Sequence, residues 1–415
     1  MFIMRWFALL LMTLNFRPGK RETAEVEFRG HPDVISSTIA AGISTKIAET
    51  LHMYDSPEPV LPHHRLDIGV QCLGGRERCG KTPIDINVGG QVVAVSGLDI
   101  QSIAYDVAAE RLGQLGYFEN GHFSRDELRV FTPDIIPQSD NLNETTQDPD
   151  KFADSAVCVG HHIAEREGFY GTFPSLIIAQ DLERRLMQNR DEIDGLMSDG
   201  KVHVTIEYHE NGISVARVNL SVGYIGKDGG GFRDKIFDIL ADGRWHLDRS
   251  KVDINGGGDF NIYFLQADYG MSKAKDDVII TGGLYPIGTD RVWGKCTWKA
   301  SSTLLPYAFS LSRVVCDVTG AKYASVSCYG EYGKQCQDIQ LREIDPDLEP
   351  QWEDIQKGLH GLPRGRSEIR ELIGLDDGID SYRAFNDPKG FTHPAKPWKK
   401  ENPQLIEEFQ KGYSG

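Results

Sequence analysis

Residues 24–33 read Ala24-Glu25-Val26-Glu27-Phe28-Arg29-Gly30-His31-Pro32-Asp33 and lead into a segment with apolar residues at Ile35, Ile39, Ile43, Ile47 and Leu51. That near-helical spacing predicts an amphipathic helix over 35–51. Pro32 suits a first helical turn, and Asp33 is favoured by the positive end of the helix dipole. The stretch is therefore a helix start. It is also a rigid turn that presents an imidazole and a carboxylate at the mouth of a helix, where a phosphate-bearing ligand and a divalent cation can be held. A short motif does not choose between these readings; its context does.

Outward from the turn, residues 65–73 and 84–96 alternate as strands do, and Gly89-Gly90 predicts a hairpin turn. Residues 56–62 hold three prolines and read as a connector; the polar stretch 134–151 reads as a loop. Helices are expected over 100–115, 178–187, 233–240 and 304–315. Strands are expected over 202–208 and 213–224, paired around Glu210-Asn211-Gly212, and over 260–265, 278–281 and 323–329. Strand pairs interrupted by helices recur in each third of the chain. The fold class expected is α+β, with sheets covered by helices on one side. The expected organisation is an N-terminal extension over 1–20, subdomains over 21–150, 151–255 and 256–345, and a surface tail over 346–415.

At 415 residues the chain is long enough for several globular units. Its 45 Lys and Arg face 61 Asp and Glu, and the net charge of −16 argues against a general nucleic-acid binder while leaving room for a local basic pocket. The seven cysteines, an odd number with no C-x-x-C pair, point away from a disulfide framework or zinc site and towards the reducing cytoplasm. Residues 1–14, MFIMRWFALLLMTL, are too short to span a bilayer and lack a small-x-small cleavage site. They read as an extension, either poorly ordered or reflecting an upstream start codon. No membrane partner is expected.

The last third carries Asp268, Lys275, Lys295 and Lys299. Lysines four apart share a face when helical, and Lys275 arrives from another segment. Read singly they are solvated lysines; converging in an acidic protein they would hold a polyanion such as a triphosphate.

Taken in order, these residues resemble the S-adenosylmethionine synthetase (methionine adenosyltransferase) family. Glu25 with Gly30-His31-Pro32-Asp33 resembles its first ATP and metal motif. Asp154 in Ala153-Asp154-Ser155 resembles its central Asp loop, with Gly160-His161-His162 replacing Gly-Tyr-Ala. The run from Leu196 to Tyr208, with Asp199 and Lys201, is similar to its strand motif. Phe260, Asp268, Lys275, Lys295 and Lys299 follow at spacings like those of bacterial members. The departures are Val34 for a Lys, Ala274 for an Arg, Ser301 for a metal-binding Asp, and no match to the Gly-Gly-Gly-Ala-Phe loop at 282–286. The 61–97 region looks more like the archaeal branch.

The resemblance implies three similar α/β subdomains and a flat sheet face buried against a second subunit. It implies a homodimer or tetramer with the active site between subunits. The implied reaction is attack of the L-methionine sulfur on C5′ of ATP, with the triphosphate leaving and then hydrolysed to diphosphate and phosphate. In it His31 would donate to the leaving oxygen, Asp33 would hold Mg2+, and Lys201, Lys275 and Lys295 would neutralise the phosphates. Asp154 and Asp268 would place the methionine ammonium and forming sulfonium. Phe260 would stack on adenine, Glu25 and Asp199 would bind the nucleoside, Lys299 would be a further substrate contact, and Asp67 would take a monovalent cation, K+. Val34, Ala274 and Ser301 also describe a nucleotide-binding or regulatory paralogue without turnover, and adenosyl transfer to another thioether is a third reading. Two other features are set aside: residues 226–231 lack the P-loop pattern, and the adjacent pairs His161-His162 and His63-His64 seldom point at one ion.

Overall fold

The computed structural model describes residues 19–53, 66–75, 82–92, 97–119, 123–137, 148–164, 169, 171–210, 212–226, 231–260, 262–289, 291–375 and 378–413. The expectations for residues 1–18, the 56–62 connector, His63-His64, residues 227–230 and the centre of the 134–151 loop lie outside the described residues.

Strand β1 (Arg21–Glu27) runs into the quoted turn and helix α1 (Pro32–Thr50). Strands β2 (Leu66–Gly74) and β3 (Thr82–Val92), helix α2 (Ile100–Gln114), and strands β4 (Phe123–Pro137) and β5 (Ala156–Ile163) follow. Helix α3 (Pro174–Gln188) precedes strands β6 (Leu196–His209) and β7 (Gly212–Tyr224), helix α4 (Gly231–Ala241) and the short β8 (Val252–Ile254). Next come β9 (Gly270–Met271), α5 (Asp276–Thr281), α6 (Ala300–Thr319), β10 (Tyr323–Gly330) and β11 (Cys336–Ile344). Four short helices close the chain: α7 (Trp352–His360), α8 (Arg366–Leu372), α9 (Ile379–Phe385) and α10 (Pro403–Gly412).

The strands form three sheets, ordered β1-β6-β7-β8, β4-β3-β2-β9 and β11-β10-β5, and the α+β class holds. Each sheet takes a strand from a distant part of the chain: β1 joins β6, β9 joins β2, and β5 joins β10. Helix α3 packs on the first sheet, α1 and α2 on the second, and α6 on the third. Along β2 buried and half-exposed residues alternate, as expected of a sheet covered on one face. Helix α1 is apolar on two sides. Ile35, Ile39, Ile43 and Ile47 face the core of the second sheet, while Val34 and Ala41 join the core around α6.

Several local expectations change. Strand β3 runs straight through Gly89-Gly90 instead of turning: Gly90 (φ 144°) pairs with Ile68, and a Cβ there would collide with the Asp67 carbonyl oxygen. Residues 278–281, read as a strand from their β-branched side chains, are helical in α5. Asp276 and Asp277 favour the first turn, and Gly282, at φ 68°, terminates it. Of the expected strand over 260–265, Phe260 makes only an isolated bridge to Gly223, and Phe264–Gln266 is a short 3-10 turn. Phe264 adopts φ 56°, costly for a bulky residue, with its ring stacked on Tyr117 at 3.9 Å. Residues 346–415 carry α7 to α10, and Ile355, Leu359, Phe385, Trp398 and Phe409 are fully buried in the core around α6. Among the described residues, no helix is long and apolar enough to cross a membrane.

Candidate active site

The quoted turn is clamped on three sides. The Gly30 N–H donates to Ser198 O at 3.0 Å, and the Tyr117 hydroxyl donates to Gly30 O at 2.9 Å. A Cβ on Gly30 would fall within 2.8 Å of the Ser198 backbone, so the approach admits only glycine. His31 caps α1, its Nδ1 accepting from the Asp33 N–H at 3.3 Å. Asp33 Oδ1 in turn accepts from the Met271 N–H at 3.0 Å, which ties α1 to β9.

Strand pairing brings the charged residues to this turn. In the β1–β6 register Glu25 lies opposite His203 and Glu27 opposite Lys201. His203 Nε2 is 2.5 Å from Glu25 Oε2, and Lys201 Nζ is 3.7 Å from Glu25 Oε1. Lys275 reaches in from the loop before α5 and bridges Glu25 Oε1 and Glu27 Oε1, each at 3.0 Å. The His203 hydrogen bond, helped by Lys275 and Lys201, holds the Glu25 carboxyl well below the usual range. Burial pushes Glu27, which is fully buried, in the opposite direction. Burial pulls the Lys275 ammonium down, but the two glutamates more than reverse this and its pKa is raised.

Burial, with the Lys201, Lys275 and Lys389 charges, lowers His31 to about 3, so its ring is neutral near pH 7. With Nδ1 accepting from Asp33, the proton sits on Nε2. Burial raises the Asp33 carboxyl, and Asp268 adds to the rise. His31, Asp33 and Asp268 offer three ligand atoms within 4.8 Å of one another. Asp199, buried at the start of β6, accepts from the Phe264 N–H at 2.5 Å, and burial lifts its carboxyl to about 7. The structure thus brings Glu25, His31, Asp33, Asp199, Lys201, Asp268 and Lys275 to one place.

The other candidates form a second group. Lys295 is buried, its backbone beside Asp67 and its Nζ donating to Ser301 Oγ at 3.2 Å. Lys299 Nζ lies 3.3 Å from Asp67 Oδ2 and 3.6 Å from Asp154 Oδ2. Asp154 Oδ1 accepts the Ala300 N–H at 2.7 Å, at the start of α6, and Arg291 pairs with Asp67. Met271 pairs with Gln71 and Lys295 with Asp67, both on β2. Four residues of strand at ~3.4 Å each put these two backbone contacts roughly 14 Å apart along β2. Phe260 belongs to neither; it is 45% exposed, beside the end of β7.

No protein-family model matches the chain. The S-adenosylmethionine synthases of Lacticaseibacillus casei and Lacticaseibacillus paracasei are each 27% identical to it over 232 residues, covering 51% of this chain and 57% of theirs. The chain thus spans little more than half the length of the curated relatives it matches. A solved structure of an unusual S-adenosylmethionine synthetase from Campylobacter jejuni superposes with a TM-score of 0.73 at 20% identity, covering 95% of this chain and all of that one. The chain is thus similar in sequence to S-adenosylmethionine synthases over about half its length and shares its fold with a solved S-adenosylmethionine synthetase.

The departures from the resemblance noted in the sequence acquire a setting. Ser301, where the resemblance expects an aspartate, accepts the Lys295 ammonium. Ala274 is exposed beside Lys275. Four site residues were missed from sequence: Glu27, His203, Arg291 and Lys389. Glu27 had a readable signal, being two residues from Glu25 and so on the same face of a strand. His203 and Arg291 needed the strand register, and Lys389, whose Nζ donates to Glu27 O, comes from the far end of the chain.

Proposed function

We propose that the chain forms S-adenosylmethionine from ATP and L-methionine, with the His31 group holding the triphosphate. The observation that carries this reading is the convergence of His31, Asp33, Lys201 and Lys275, from three separate segments, at the start of α1. A thioether sulfur is already a nucleophile, so attack on C5′ needs no general base. What must be stabilised is charge growing on the departing triphosphate oxygen. Neutral His31 offers its Nε2–H to that oxygen. Glu25 and Glu27 hold the Lys201 and Lys275 ammoniums in place, and incoming phosphate oxygens compete for them.

The donor set fits Mg2+. Two carboxylates, Asp33 and Asp268, lie beside His31, and a carboxyl destabilised by burial gains most from a hard cation bound through oxygen. Asp33 and Asp268 would hold it, where it neutralises phosphate charge. Asp67, flanked by Arg291 and Lys299, does not fit K+, and no cation is placed there. Lys295, Lys299 and Asp154 serve a nucleotide bound by a second subunit, Asp154 and Asp268 orient methionine, and the exposed Phe260 ring stacks on adenine. Asp199 carries the nucleoside-side contacts with Glu25. A reducing cytoplasm suits the six cysteines among the described residues, all buried and free.

Purified chain with ATP, Mg2+ and methionine should give S-adenosylmethionine together with diphosphate and phosphate. The Lys295–Ser301 bond favours one competing reading, nucleotide binding without turnover. ATP binding with no product supports that reading and overturns ours.

A further inference from the structure

Behind the quoted turn is a cavity of about 430 Å³, walled by α1, the end of α2, the residues following α3 and the 387–389 segment. Three guanidiniums line it, Arg29, Arg111 and Arg190, together with Lys389, whose Nζ is committed to Glu27 O in the neighbouring candidate active site. Asp191 and Asp387 are the acids of the lining itself, and Glu183, Glu110 and Glu119 lie 3.7, 3.9 and 3.4 Å from Arg29, Arg111 and Arg190 from outside it. A cavity of this size lies within the range of small-ligand sites, ~300–1,000 Å³.

The guanidiniums are poorly committed to the protein. Arg29 Nε lies 3.7 Å from Glu183 Oε1, too far for a hydrogen bond. Arg111 Nη1 donates to Gln114 Oε1 at 3.0 Å, but its Nε is buried with no hydrogen-bond partner among the described residues. Arg190 makes long contacts of 3.4 Å to Leu115 O and Glu119 Oε2. Each guanidinium carries five N–H donors in a planar fork that matches phosphate oxygens, and a buried donor without an acceptor is costly. An anion in the cavity supplies the missing acceptors. Leu115 and Met187 add an apolar wall beside the cations.

We propose that this cavity binds a compact phosphate-bearing anion, at a site separate from the nucleotide site. Its occupant would be felt at the turn. Ser198, on its wall, contacts Gly30, and Lys389 bears on the charge of His31.

The test is titration calorimetry of the full chain, without methionine or ATP, using sodium diphosphate and separately adenosine monophosphate. Wild type is compared with Arg111→Gln/Arg190→Gln and with Lys201→Met, the latter weakening the nucleotide site. Diphosphate binding should survive Lys201→Met and weaken at least about tenfold in the double arginine variant. Parallel behaviour of adenosine monophosphate would support a site that also admits an organic group; binding of diphosphate alone would support a purely anionic one. Unchanged affinity in the double variant, or loss of binding in Lys201→Met alone, overturns the proposal. Should the double variant fail to fold, Arg29→Gln, on a half-exposed side chain, reads the same site. Because no turnover is measured, the outcome is independent of whether the chain makes S-adenosylmethionine.

Discussion

Replacing Lys275 with methionine tests the electrostatic design of the site. The ammonium is 3.0 Å from Glu27 Oε1, and Glu27 is fully buried with no hydrogen-bond donor of its own among the described residues. Methionine keeps most of the side-chain volume and removes only the charge, so the change isolates the pair. Stripping one partner from a buried ion pair costs ~3–5 kcal/mol, because the other charge is left in low dielectric. Glu27 has an escape, which is to bind a proton. Burial already holds its pKa above the ordinary value, and losing Lys275 raises it further. For a carboxyl raised on folding, stability is present below the unfolded value near 4.5 and is lost as pH rises through the folded one. The slope in that window approaches ~1.4 kcal/mol per pH unit. Urea unfolding of Lys275→Met should therefore show the full loss at about pH 8 and roughly 1 kcal/mol at about pH 5. Adding Glu27→Gln should recover stability at the higher pH and flatten the profile. Equal losses at both pH values, or a double variant no better than the single, would refute the reasoning.

Other consequences follow from the same geometry. His31→Ala should lower the rate of S-adenosylmethionine formation by ~10²–10³, with the circular dichroism spectrum unchanged. Asp33→Asn and Asp268→Asn should each weaken Mg2+ binding, measured by calorimetry, while Asp67→Asn should not. Asp199 is raised to about 7, so wild-type stability should fall as pH rises from about 4 through 7, and melting of Asp199→Asn should lose that trend.

Much of the fold was legible, and the reasons are local. The 3.6-residue period of Ile35, Ile39, Ile43 and Ile47 and the alternation in β2 both reflect one buried face. What failed was propensity overruled by end signals, as in α5, and a glycine pair whose role is close strand packing rather than a turn. The helices of the last seventy residues were missed because they are short and set among Pro, Asp, Glu and Lys, although Ile355 and Leu359 in α7 and Leu405 and Phe409 in α10 stand four apart on a buried face. At the site, the residues of the β1–α1 turn could be named from sequence since they are contiguous. Their partners could not: His203 is set opposite Glu25 by pairing between strands 178 residues apart, and Lys389 arrives from a segment 362 residues beyond Glu27.

The separation of the two lysine groups leads to a sharper prediction. Lys275 follows the Met271–Gln71 pair and Lys299 the Lys295–Asp67 pair, two backbone contacts roughly 14 Å apart along β2, and Lys299 Nζ lies between Asp67 and Asp154. If one triphosphate uses both lysines, the second must come from another subunit related by a two-fold axis. Lys275→Met and Lys299→Met chains should then each be inactive alone yet recover activity when mixed under conditions that allow subunit exchange. In a mixed dimer one site carries both substitutions and the other carries neither. Random pairing makes half the dimers mixed, so about a quarter of all sites are intact and about a quarter of wild-type turnover should return. A site contained within one subunit always keeps one defect, and mixing would restore nothing. That second outcome would leave the His31 group to act without Lys295 and Lys299, and would turn those residues, with Asp67, Arg291 and Asp154, into a buried ion network that fixes the start of α6.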